Sequence, residues 1–486
     1  MSHHHDTPAT ALTRRAWLAR SGLGLAGALG AGSLANLMLA SPARSQAADY
    51  RALVCIFLYG GNDGMNMIVP TDAARHNQYK AVRGGMHLPV ANLSPLSGVN
   101  FGLHPAMAAL SAAWADGGLA PVFNVGPLYR PMTKAQFRAE PSNSDLLPDN
   151  LFSHSDQQNL WQTGTTDTLT RTGWGGRASV ALATTNPVIS VGGTARFGLS
   201  ETESPLVLPG TPGDVFGAYN LQPADLTNNT RNVARKKAID ALYAQAQSQQ
   251  LAGAFAAAQR NAFSVSDRLG KLVATVPGGN AAFKVIDDAF APLTTSGKLN
   301  TGMARQLYQV AKLIADNATV GGSRQIFFAQ MGGFDTHGNQ LVSGSPTEGE
   351  HARLLKELGD ALGAFYTAMK GLGRGNAVTA FTQSDFGRTF ATNNSSGTDH
   401  AWGNQHLVVG GAVKGGATYG TYPELALGGP DDVGHESWER HGRWIPTTSV
   451  DQYAATLLGW LGVNDTQLAT VLPNLKNFPT RRLGFL

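Results

Sequence analysis

Leu53-Val54-Cys55-Ile56-Phe57-Leu58-Tyr59 runs straight into Gly60-Gly61-Asn62-Asp63-Gly64, and the reading of this junction decides the fold. A short unbroken apolar run stopped by glycines reads as a strand buried on both faces, the habit of a parallel sheet. The same grammar returns twice. Gln325-Ile326-Phe327-Phe328-Ala329 leads to Gly332-Gly333-Phe334-Asp335-Thr336-His337, and Ala377-Val378-Thr379-Ala380-Phe381-Thr382 leads to Ser384-Asp385-Phe386-Gly387-Arg388. Ala120-Pro121-Val122-Phe123-Asn124-Val125-Gly126, Pro187-Val188-Ile189-Ser190-Val191-Gly192 and His406-Leu407-Val408-Val409-Gly410-Gly411 are predicted as further strands. Over 350–370, Leu354, Leu358, Leu362, Phe365 and Met369 fall three or four apart, which predicts an amphipathic helix. Strands alternating with helices imply an α/β fold, a mainly parallel sheet covered by helices on both faces. From 229 to 319 the pattern is helical, clearest over 236–263, and predicts a helical insertion or cap.

With 486 residues, 42% hydrophobic and 14% charged, the chain has the composition of a globular protein with a large core. Thr13-Arg14-Arg15-Ala16-Trp17-Leu18 precedes a weakly hydrophobic, Gly- and Ala-rich stretch over 21–40. That pattern predicts a twin-arginine export signal over 1–47, cleaved after Ser45-Gln46-Ala47, with one domain over 48–486. The alternative is an N-terminal anchor, but no segment approaches the ~20 apolar residues of a membrane span. The expected location is periplasmic or secreted, with the twin-arginine machinery as partner and no stable membrane span after cleavage. Residues 1–47 carry four Arg and one Asp, so the mature charge is +4 − 3 = +1. A chain so near neutrality offers no electrostatic case for nucleic acid. Cys55, the single cysteine, excludes an internal disulfide and is predicted to be a core thiol.

Ligands of open α/β sheets bind outside the carboxyl ends of the strands. Asp63, Asp335 and Asp385 each follow such an end. Asp335 and His337, two apart, project to one side of an extended segment. Asp399-His400 form an adjacent pair, and His406 follows at the start of a strand. Carboxylates with imidazoles suit zinc first, with Mn, Mg or Fe as alternatives. A set of this size could hold one or two ions. For each histidine alone, a hydrogen-bonded interior imidazole is the competing reading.

Ser153-His154-Ser155-Asp156 has capping-box spacing, with Leu160 and Trp161 following at helical spacing. A serine at a helix start meets free N–H groups that favour an oxyanion, so Ser153 is a candidate nucleophile, with Ser155 behind it. A plain N-cap is the bland alternative. Arg388 could grip a phosphate or sulfate with two prongs, or simply pair with Asp385. Arg130 lies in a loop where it could help, and Asn62 could donate to an oxyanion. The Cys/Ser-x-Pro-x-Arg signature of formylglycine sulfatases, a Gly-x-Ser-x-Gly elbow and a phosphate loop are all missing.

Taken in order, the twin-arginine start, Gly60-Gly61-Asn62-Asp63-Gly64, Ser153-His154, Gly332-Gly333-Phe334-Asp335-Thr336-His337, Ser384-Asp385-Phe386-Gly387-Arg388 and Gly397-Thr398-Asp399-His400 resemble the domain-of-unknown-function 1501 family. The resemblance spans essentially the whole mature chain. It implies an alkaline phosphatase-like fold, from a superfamily of metal-dependent phosphatases, sulfatases and phosphoglycerate mutases. By position it makes Asp63 the first-strand ligand and Ser153 the nucleophile. Asp335 with His337 and Asp399 with His400 become the later ligand sets, and His406 the last ligand. Asp385 is a ligand or its supporting partner. One departure is plain: only Thr336 separates Asp335 from His337, where superfamily phosphatases place three residues. The implied activity is hydrolysis of phosphate or sulfate esters of a small molecule or polysaccharide. A catalytically silent periplasmic binding or assembly protein, or a structural protein of the cell surface, is the alternative.

Overall fold

The computed structural model describes residues 49–218, 220–245, 248–342 and 345–486. The export segment over 1–47 lies outside the described residues. The described chain is centred on an eight-stranded sheet. In chain order the strands are β1 (Arg51–Leu58), β2 (Leu119–Gly126), β3 (Ile189–Ser190), β4 (Leu206–Val207), β5 (Arg324–Met331), β6 (Val378–Ser384), β7 (Asn404–Gly410) and β8 (Thr448–Ser449). Across the sheet they run β8-β2-β7-β6-β1-β5-β3-β4. All neighbours are parallel except β7, which runs antiparallel to both β6 and β2.

Side chains of β1 alternate between two cores, as the period-2 geometry of a strand requires. Ala52, Val54, Ile56 and Leu58 pack with α6 (Gly302–Ala315) and α7 (Glu350–Gly371) on one face. Leu53, Cys55 and Phe57 pack with Trp161, Trp174 and α8 (Val450–Leu461) on the other. This is the expected helix-covered, mostly parallel α/β sheet. Cys55 is buried, as predicted.

The block over 229–319 is helical, but it is not detached from the sheet. α4 (Thr230–Ala244) buries none of its residues, whereas α5 (Gln250–Ala274) seats Leu269 and Val273 in the sheet core. Met303, Leu307, Val310 and Ile314 of α6 follow into the same core, and a short hairpin (Thr294–Thr295, Lys298–Leu299) interrupts the helices. The second half of the block therefore covers one sheet face. Among the described residues no helix is long and apolar enough to cross a membrane.

Register explains where chemistry collects. Leu58 of β1 pairs with Met331 of β5 and with Ser384 of β6, so three strands end at one level. Their loops, bearing Asp63, Asp335 and Asp385, leave the sheet side by side. Because β7 is antiparallel, the segment before it, with Asp399 and His400, arrives at that same edge. α2 (His154–Thr163) begins there too, its first residue touching Asp385 and Asp335.

Candidate metal centre

Four side chains meet at this edge: His154, Asp335, His337 and His400 present ligand atoms within 4.8 Å of one another. Asp335 Oδ1 lies 3.2 Å from His154 Nε2, 3.2 Å from His337 Nε2 and 3.5 Å from His400 Nε2. With metal–ligand bonds near 2.0–2.1 Å, a tetrahedral site has ligand-to-ligand edges of about 3.3 Å. The three edges that run to Asp335 match that length, as a single first-row divalent ion requires.

The hydrogen bonds behind each ring settle which nitrogen faces the centre. His154 Nδ1 donates to Asp385 Oδ2 at 2.6 Å, His337 Nδ1 to Asp399 Oδ1 at 2.8 Å, and His400 Nδ1 to the Phe152 carbonyl at 2.7 Å. Carboxylate and carbonyl oxygens can only accept, so all three Nδ1 atoms carry the proton and, in the neutral rings, all three Nε2 atoms present lone pairs. His337 and His400 then face each other Nε2 to Nε2 at 2.8 Å, a contact that needs a cation or an extra proton between them. His154 Nε2 is buried and makes no hydrogen bond among the described residues. Histidine ligands backed by a carboxylate or carbonyl are the usual architecture of metal centres.

The loops are held to this geometry by close packing. Gly60 has φ +115°, and a Cβ there would stand 2.3 Å from the Asp335 backbone nitrogen. A Cβ on Gly397 would stand 2.3 Å from the His337 carbonyl. Phe386 supports two imidazoles, its ring centroid 4.7 Å from those of His154 and His400. Gln158, one helical turn beyond His154, donates to Asp385 Oδ2 at 2.9 Å, and Asn393 donates to Asp399 Oδ1 at 3.0 Å. Phe152, which offers its carbonyl to His400, has φ +74°, a strained backbone next to the site.

Charge follows the contacts. The bond to Asp385 raises the His154 pKa against the opposing effect of burial. Burial lowers that of His400, only partly offset by the Phe152 carbonyl. Burial alone would raise Asp335 and Asp399, but Arg388 beside the first, and Asn393 and His337 beside the second, hold both below the ordinary carboxylate range.

Several residues singled out from sequence stand elsewhere or do other work. Asp399 and Asp385 sit behind His337 and His154 and orient them. Asp63 is wholly buried in a fork with Arg83, Nη1 to Oδ2 at 2.6 Å and Nη2 to Oδ1 at 2.9 Å. It also accepts from Gln340 Nε2 at 2.6 Å and from the amides of Met65 and Asn66. Burial pushes its pKa up, yet the charge and hydrogen bonds of Arg83 outweigh this and hold it low. Both oxygens are engaged, so Asp63 has nothing left for the ion; a guanidinium fills the cation's place. His406 is inside the sheet instead of at its edge, against Trp161 at 4.8 Å and Tyr453 at 5.9 Å between ring centroids, and burial lowers its pKa to about 3. It is an interior imidazole.

Arg388 is buried and donates to the carbonyls of Gly61, Thr398, Gly60 and Phe334 and to the Asp335 carboxylate. It ties the loops together and has no prong free for an anion. Asn62 bonds inward, to Met67 Sδ and, through its carbonyl, to His351 Nε2 at 3.0 Å, so it is no oxyanion donor. Arg130 pairs with Glu140. Ser153 is the residue before α2, but its hydroxyl makes no capping bond. It donates instead to Asp156 Oδ2 at 2.8 Å and lies 3.3 Å from Ser155 Oγ. The candidate ligand with no sequence signal of its own is His154: it adjoins Ser153, inside a capping pattern that points to the serine.

A sequence profile described as a protein of unknown function, DUF1501, matches residues 50–437. The chain belongs to that family. No curated protein matches it. Among solved structures it is similar to the PsFucS1 sulfatase from Pseudoalteromonas sp., at 11% identity and a TM-score of 0.33, over 93% of this chain and 74% of that one.

Proposed function

We propose that the protein is an exported, metal-dependent hydrolase of phosphate or sulfate esters, with one divalent ion held by His154, Asp335, His337 and His400. The observation that carries this reading is the convergence of three proton-free Nε2 atoms on Asp335 Oδ1, each ring fixed from behind. Openness favours catalysis over a structural role. The side chains of Asp335 and His337 are 48% and 44% exposed, so water and substrate reach the centre, whereas structural zinc sites are closed. Three imidazoles move the donor set away from magnesium, which takes oxygen ligands, and toward zinc. A bound ion supplies Lewis acidity and neutralises charge that develops on an ester oxygen.

The chain's own groups supply the rest. Ser153, adjoining His154, is the proposed nucleophile, and Asp156, which accepts its hydroxyl proton, is placed to take that proton as the hydroxyl attacks; the bond from phosphorus or sulfur to the ester oxygen breaks, the alcohol leaves, and water then frees Ser153. Asp385 and Asp399 keep their histidines aimed. The ester class rests on the resemblance drawn from the motifs, and export on Arg14-Arg15.

Ser153→Ala decides the role of the serine. Turnover of aryl phosphate or aryl sulfate is expected to drop by about 10³-fold or more. Metal content should stay unchanged, with a stability loss of about 0.5–1.5 kcal/mol for one half-exposed hydrogen bond. Wild-type turnover in that variant would move the role to another group, Ser155 first.

A further inference from the structure

With Arg388 enclosed by carbonyls, the site still needs a cation for an anionic substrate, and one stands on its other flank. Arg443 is half-buried, its Nε donating to the His400 carbonyl at 3.0 Å and its guanidinium lying 4.9 Å over the ring of Phe152. His400 is a ligand, and the Phe152 carbonyl holds that ligand's Nδ1, so Arg443 is attached to the centre from two sides. Its two terminal nitrogens have no hydrogen-bond partner among the described residues and are not enclosed. They border a cleft of about 340 Å³ whose walls include Phe152, Phe137, Arg138 and Trp438. Trp438 is 72% exposed, an apolar ring left facing water at the rim. The one carboxylate in the cleft wall, Glu439, already accepts from the amides of His435 and Glu436.

We propose that Arg443 is the anion-recognition residue of the site: its two free N–H₂ groups take two non-bridging oxygens of a phosphate or sulfate, and the aromatic cleft beyond takes a ring-bearing organic part of the ester. The inference rests on the hydrolase reading and adds the substrate's shape to it. Arginine suits the task because its planar fork matches tetrahedral oxyanions in a two-pronged way that lysine cannot copy. The bond to His400 and the stack on Phe152 fix the plane of that fork before any anion arrives. Trp438 and Phe137 offer flat faces to a ring with little loss of side-chain freedom.

Calorimetric titration of the metal-loaded protein with inorganic phosphate and with inorganic sulfate tests the first half. Arg443→Met is expected to weaken binding of the anion the site prefers by tenfold or more, with metal content unchanged and Arg443→Lys recovering part of the loss. Equal affinity in wild type and Arg443→Met overturns the proposal, as does a metal-loaded wild type that binds neither anion. If the variants fail to fold, wild-type protein is treated with phenylglyoxal. Protection of Arg443 by phosphate or sulfate, read by peptide mapping, supports the assignment, and labelling indifferent to both opposes it. Trp438→Ala tests the second half: binding of phenylphosphonate, whose P–C bond the enzyme cannot hydrolyse, should weaken about threefold or more while inorganic phosphate binds as before. Loss of both alike, or of neither, removes the cleft from the account. Metal is quantified in every preparation. Metal-free protein that still binds phosphate through Arg443 defeats the hydrolase reading alone; metal-loaded protein whose anion binding ignores Arg443 defeats this inference alone.

Discussion

Asp335→Ala, His337→Ala and His400→Ala are each expected to leave the purified protein with little or no bound metal, an affinity loss beyond about 100-fold. The reasoning is a comparison of magnitudes. Groups that only orient a ligand change metal affinity or activity by 10–100-fold when replaced. Asp385→Asn and Asp399→Asn belong in that band, because each leaves its histidine present but less firmly aimed. A residue whose own atom faces the ion must cost more. The order of effects across the set is therefore the diagnostic: Asp335, His337, His400 and His154 severe, Asp385 and Asp399 intermediate, His406→Gln without effect on metal. The readout is metal per chain after dialysis, followed by titration of the apoprotein. Full retention of metal by His400→Ala would remove the centre as drawn, since that ring contacts all three of the other ligands.

Arg83→Met is expected to be the most destabilising single change outside the hydrophobic core, by about 3–5 kcal/mol, because it leaves the Asp63 carboxylate buried with no opposing charge. Both side chains of the pair are fully enclosed, so solvent cannot compensate. Arg83→Met with Asp63→Asn should recover part of that loss by removing the stranded charge. Denaturant unfolding of the three proteins gives the values, and metal content should stay at wild-type level wherever the protein folds. This last point reverses the expectation for Asp63 drawn from its position after the first strand. If Asp63→Asn lost the ion while remaining folded, the carboxylate would be a ligand after all and the fork with Arg83 would have to open in the loaded protein.

The contrast between Asp63 and Asp335 shows what was legible in the sequence. Apolar runs ending in Gly-Gly located β1 and β5 and placed both acids at strand ends, since hydrophobic periodicity records burial directly. Depth is another matter. Asp63 turns under the edge toward Arg83, twenty residues on, and spacing carries no sign of such a partner. Spacing also could not show the direction of β7: a strand buried on both faces is apolar throughout, whichever way it runs. That direction brings Asp399 and His400 to the site and carries His406 away from it into the Trp161 and Tyr453 layer. Asp335, His337 and His400 were readable as candidate ligands because a carboxylate and imidazoles fall beside strand ends, where ligands of such sheets bind. His154 was hidden by the capping pattern around it. The pattern is real in sequence, but the Ser153 hydroxyl turns to Asp156 instead of the helix amides.

X-ray absorption at the metal edge of protein purified without chelator tests the central claim most directly. The account predicts one ion per chain with three imidazole nitrogens and at least one oxygen, at about 2.0–2.2 Å if the ion is zinc. Metal-free protein, a first shell with fewer than three imidazoles, or a second metal scatterer at about 3.5–4 Å would contradict it.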